Sequence, residues 1–123
     1  MNSHIKHFLL TGALVLLANF TPMAAVAQNA LRTFTVINRS RYRIDHLYVS
    51  PTGYRYWGSD RLGTYVLYPN YRYDVSVYPG WYDVELVDQD GDACVLDNID
   101  FRYGENWTVT DDLLVVCELF SAR

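Results

Sequence analysis

The sequence predicts an all-β domain, a small antiparallel β-sandwich or partly open barrel of roughly seven or eight short strands. Three observations predict it. From Thr33 onward, apolar and polar residues alternate with a period of two, with almost no helical periodicity. β-Branched and aromatic residues, including 11 Tyr, dominate these runs. Turn signals such as Pro51-Thr52-Gly53, Pro79-Gly80 and Asp88-Gln89-Asp90-Gly91-Asp92 recur roughly every 8–12 residues.

The first 27 residues stand apart from this pattern. Lys6 and two histidines precede an apolar run, Phe8–Phe20, and Ala25-Val26-Ala27 offers a small-x-small site ahead of Gln28. This is the layout of a secretory signal peptide. The apolar run, at about 13 residues, falls short of the roughly 20 that a membrane span needs. Cleavage after Ala27 leaves a single all-β domain, Gln28–Arg123, in the periplasm or outside the cell, with no membrane insertion.

The elements follow in order. Thr33–Asn38 alternates Phe34 and Val36 against Thr33, Thr35 and Ile37. Arg41–Ser50 puts Tyr42, Ile44, His46 and Tyr48 on one side, and a bulge near Asp45–Leu47 sorts its apolar residues better. Tyr54–Gly63 holds two glycines among polar residues and reads as a loop with a little extended structure at its start. Tyr65–Leu67 is a short strand. Tyr71–Val77 turns Tyr71, Tyr73, Val75 and Val77 to one face, and Tyr82–Val87 does the same with Tyr82, Val84 and Leu86. Asp88–Asp92 is a tight hairpin loop leading into Ala93–Phe101. Trp107–Thr110 is a strand, Asp111-Asp112 a turn, and Leu113–Leu119 a last strand carrying Cys117.

Charge narrows the function classes. With Lys6 removed, nine Arg face 14 acidic residues, a net charge of −5 (9 − 14). That balance argues against nucleic acid and anionic membrane surfaces as partners. Cys94 and Cys117 are an even pair in an exported chain and predict a disulfide. Closing a loop of that length is worth about 3 kcal/mol by the chain-entropy argument.

Three features compete as sites. Asp88, Asp90 and Asp92 occupy positions 1, 3 and 5 of a calcium-loop pattern, but Gly91 falls at 4 and Ile99 at 12, where an EF-hand needs Gly at 6 and a carboxylate at 12. The flanks read as strands, so the turn is at most a weak, non-EF calcium site. No other cofactor is expected. His46 is the only histidine after cleavage, with no nucleophile motif near it, so the chain is not expected to be an enzyme. Tyr54, Arg55, Tyr56, Trp57 and Arg61 sit in or beside a Gly-containing loop, where rings and guanidinium groups have fewer strand neighbours to pack on. They are the expected ligand-binding residues. Asn38-Arg39-Ser40 and Asn106-Trp107-Thr108 match the N-glycosylation acceptor pattern.

The segments Phe34-Thr35-Val36-Ile37-Asn38, Leu47-Tyr48-Val49-Ser50-Pro51, Trp57-Gly58-Ser59-Asp60, Leu62-Gly63, Tyr82-Asp83, Asp88-Gln89-Asp90-Gly91-Asp92 and Asn98-Ile99-Asp100 resemble a family of small exported bacterial β-domains. The resemblance runs roughly from Phe34 to Phe101 and departs at Pro69-Asn70, where that family often has Pro-Gly. It implies a bacterial exported β-sandwich of uncharacterised function and supplies no catalytic residues. The leading expectation is an exported, non-enzymatic module that engages a protein or glycan. A calcium-stabilised structural module is the runner-up, ahead of a small enzyme inhibitor or hydrolase.

Overall fold

The computed structural model describes residues 30–104 and 106–121, so the expected signal peptide and its cleavage site lie outside the described residues. Among these, six strands and one helix follow one another. They are β1 (Arg32–Asn38), β2 (Ile44–Pro51), β3 (Arg72–Val77), β4 (Trp81–Asp88), β5 (Ala93–Asp100), β6 (Asn106–Val109) and α1 (Asp111–Ser121). The strands form two three-stranded sheets, ordered β3-β1-β6 and β2-β4-β5. The predicted all-β sandwich class is what the chain adopts, with no closed barrel.

Alternation sets what each strand buries. β1 turns Phe34, Val36 and Asn38 inward. β3 lies antiparallel to it, with Phe34 opposite Val75. β6 pairs with β1 in the parallel sense. In the second sheet, Leu47 and Val49 of β2 face Leu86 and Val84 of β4. The inward residues of both sheets join one core with Leu62 and Leu67. Phe101 completes it, stacking on Phe34 with ring centroids 4.0 Å apart and tilting against Tyr82.

The expected bulge is present: the β2–β4 register shifts between Ile44 and His46. The extra residue lets Ile44, Leu47 and Val49 all point inward and turns His46 outward, away from the face it was expected to share with Ile44. A second bulge interrupts β4–β5 between Tyr82 and Val84, where Asn98 takes φ 57° and donates its N–H to Asp83 Oδ1 at 3.0 Å. Asn tolerates this left-handed backbone because its short side chain crowds little.

Two expected strands are corrected. Tyr65–Leu67 contributes a single antiparallel bridge, Leu67 to Ile44, and no strand. Leu113–Leu119 is helical, and Asp111-Asp112 is its first turn. The cause lies at the helix start: Thr110 Oγ1 accepts the Leu113 N–H at 3.2 Å, and the two aspartates complement the helix dipole. The run misleads because it is apolar on both sides. Leu114 and Cys117, three apart, are buried, whereas Val115, Val116 and Leu119 are more than half exposed. The helix is held to β5 by the predicted Cys94–Cys117 disulfide, Cα to Cα 5.1 Å. No helix among the described residues is long and apolar enough to cross a membrane. Both facts are compatible with an exported chain.

One buried polar side chain ties the sheets. Asn38, fully buried at the end of β1, donates from Nδ2 to the carbonyls of Tyr42 (2.7 Å) and Leu67 (2.9 Å). Its Oδ1 accepts the Ser40 N–H (3.0 Å) and hydroxyl (2.6 Å). With both amide atoms bonded and buried, this glycosylation pattern is a structural cap, and its amide is not open to modification in the folded domain. Asn38→Asp, equal in size, sets a carboxylate against two carbonyl oxygens. It is expected to cost about 3 kcal/mol or more, read as a lower urea midpoint with an unchanged slope.

Candidate functional site

The loop between β2 and β3 carries the expected ligand-binding residues, and its position follows from the edge of β2. An open strand edge leaves N–H and C=O groups unpaired. Here the loop folds back and uses them. Asp60 Oδ1 accepts the Leu47 N–H at 3.0 Å and the Leu62 N–H at 2.9 Å, while the Arg61 N–H donates to the Leu47 carbonyl at 2.7 Å. Nearer the start, Ser50 Oγ donates to the Tyr56 carbonyl at 2.8 Å. Leu62 is driven into the core, and Gly58 takes φ 79°, a backbone that side-chain-bearing residues rarely adopt.

Asp60 has a second function in the loop. Its Oδ2 pairs with His46 Nδ1 at 2.7 Å. Burial opposes the charge of Asp60, but the Leu47 N–H, His46 and the Leu62 N–H together outweigh it and hold the carboxyl below its usual range.

The loop turns its rings outward. Tyr54 and Tyr56 are 71% and 77% exposed, and Trp57 is half-buried. Ser50, Tyr54, Arg55, Tyr56, Trp57 and Asp83 line an open cleft of about 220 Å³. A neighbouring cleft of about 510 Å³ shares Tyr54, Tyr56 and Trp57 and extends to Pro51 and Arg61. All five expected binding residues therefore border two adjoining clefts. Arg55 and Arg61 take part in none of the ion pairs among the described residues.

The acidic turn is arranged differently from the expected calcium loop. Asp88 is buried, and its Oδ1 accepts the N–H groups of Asp90 (2.9 Å) and Asp92 (3.1 Å), closing the turn. Carboxylate oxygens of Asp88, Asp92 and Glu118 lie within 4.8 Å of one another, and Asp90 is not in that group. Glu118 Oε1 is buried without a hydrogen-bond partner. Burial, then the facing Asp88, then Asp92 and Asp90 push the Glu118 carboxyl up to about 7.

No family model, curated protein or solved structure matches this chain. The site's own chemistry therefore carries the reading. Both cysteines are in the disulfide and offer no thiol nucleophile. The loop clefts offer exposed rings, two guanidinium groups and a hydroxyl. The Asp88–Asp92–Glu118 group offers oxygens suited to a proton or a hard cation.

Asp60 was not expected to position the loop, although Asp readily accepts the N–H two residues on, as it does here from Leu62. The sequence reading missed Glu118 because the segment was expected to be a strand. Thr110-Asp111-Asp112 was the available signal: a helix there puts Leu114, Cys117 and Glu118 on one face.

The Glu118 carboxyl gives a pH dependence with a definite sign. Unfolded, it ionises near 4.5; folded, near 7. The native state alone holds the proton between these values, so this stabilising contribution is complete below 4.5 and lost as pH rises through 7. Glu118→Gln is expected to melt like the parent at pH 4 and higher at pH 8, by about 1 kcal/mol or roughly 4–8 °C after solvent screening. Thermal melts in EDTA at both pH values check it.

Proposed function

We propose that this chain is an exported, non-enzymatic binding module that engages a protein or glycan through Tyr54, Arg55, Tyr56, Trp57 and Arg61. The observation that carries this reading is the coincidence of these residues with two adjoining clefts on a loop that Asp60 and Ser50 tie to β2. Exposed Tyr and half-buried Trp supply rigid contact area with polar tips, at little entropic cost on binding. Unpaired arginines add orientation. Periplasmic or extracellular location, in a bacterial source, is supported by the signal-like N-terminus and by the disulfide. Trp57→Ala is expected to weaken capture on a printed glycan array or a displayed-peptide library at least tenfold while leaving the melting temperature unchanged. Equal capture by parent and variant would reject this site.

A second reading, a calcium-stabilised structural module, is favoured by the Asp88, Asp92 and Glu118 group. A divalent cation would be held by these three carboxylates and would join the β4–β5 hairpin to α1. On this reading millimolar calcium at pH 7.5 raises the melting temperature of the parent and leaves that of Asp92→Asn in place. No shift in the parent sinks it.

A further inference from the structure

The loop clefts continue past Arg61. A third cleft, of about 330 Å³, lies on its other side, lined by Leu31, Pro51, Arg61, Tyr78 and Tyr82 among others. Pro51 and Arg61 border both this cleft and the 510 Å³ cleft beside Trp57. The groove therefore has an aromatic compartment at each end and one guanidinium between them. None of the residues lining these two compartments is acidic, in a domain whose acids outnumber its bases. Among the described residues Arg61 has no carboxylate partner, and Tyr82, which lines the same cleft, already donates its hydroxyl to the Tyr78 carbonyl at 2.6 Å. A planar cation left unpaired at the waist of a groove is placed for an anion with matching geometry, and a carboxylate accepts two parallel N–H bonds from guanidinium.

The ends of the groove select what carries that carboxylate. An extended peptide reads a sheet by adding a strand to its edge. The β2 edge beside the groove is blocked at Leu47, whose N–H and C=O are taken by Asp60 and Arg61, and at Pro51, which has no N–H and whose carbonyl accepts the Tyr54 N–H. The contacts proposed here therefore run through side chains. Tyr54 and Tyr78 are exposed and Trp57 is half-buried, and a pyranose offers a flat face of C–H groups to such rings while its hydroxyls stay wet.

Resting on the binding-module reading, we propose that the groove takes an acidic oligosaccharide, a chain containing uronic acid, with sugar rings on Tyr54/Trp57 and on Tyr78 and a carboxylate on Arg61. The test titrates the mature protein with oligogalacturonate, alginate and hyaluronate oligosaccharides and with their methyl esters, which keep shape and lose charge. At least one acid form is expected to bind, with affinity at least tenfold above its ester and falling as salt rises. Arg61→Gln is expected to remove that preference, and Arg72→Gln, on the exposed side of β3, to keep it. Equal binding of acid and ester overturns the carboxylate contact but leaves the aromatic binding site standing. No binding of any acid form, or binding of displayed peptides in preference to all the saccharides, overturns the inference. The ester comparison uses unaltered protein, so it decides the matter even if Arg61→Gln folds poorly.

Discussion

The side-chain amide of Asn38 is the constraint on which the arrangement of this domain rests. It ends β1 in one sheet and grips the Leu67 carbonyl, while Leu67 exchanges backbone hydrogen bonds of 2.8 and 3.0 Å with Ile44 at the start of β2 in the other. A small two-sheet domain has little core with which to hold its sheets in register. A buried amide that bonds on all its polar positions supplies direction that apolar packing does not. The backbone around it follows the same bonds: Asn70 donates to the Asn38 carbonyl, and Arg39 to Val109 at the end of β6.

From this junction the exposed loop acquires fixed ends. It leaves at Pro51, the last residue of β2, and returns at Leu67, the partner of Ile44. Asp60 pins its middle to Leu47, and Leu62 anchors it in the core. A loop so tied loses less conformational freedom on binding, which would lower the entropic cost of the proposed recognition. The rings are outside for the same reason: the inward positions over this edge are filled by Leu47, Val49 and Leu62. Tyr54-Arg55-Tyr56 and Tyr71-Arg72-Tyr73 differ only in part: Tyr73 packs half-buried against the core, but Tyr71, expected on the same inward face, precedes β3 and is exposed like Tyr54 and Tyr56.

The strands of this fold were legible because period-two alternation is a local signal. Phe34/Val36, Val75/Val77 and Tyr82/Val84/Leu86 all face inward as the pattern requires. The exposed loop after β2 was legible from Gly58 and the loss of alternation. The helix was not, because an apolar run of Leu113 to Cys117 satisfies a strand and a helix equally over so few residues. The parallel pairing of β6 with β1 was not legible either, since it joins Thr35 to Asn106 across most of the domain. For the same reason the third compartment at Tyr78 was invisible: it exists only once Pro51, Arg61 and Tyr82 are brought together by folding.

The misread segment also carries a repulsive cluster of carboxylates. Glu118 follows Cys117 directly, so the disulfide to Cys94 that holds α1 on β5 also brings this carboxyl to the Asp88–Asp92 turn. Like charges so placed repel. The crosslink limits how far they can separate, because it holds the Cα atoms of Cys117 and Cys94 5.1 Å apart. A proton or a cation at the oxygens would relieve this repulsion. The carboxylates lie at the β4–β5 hairpin and on α1, and not on the loop that carries the proposed binding residues.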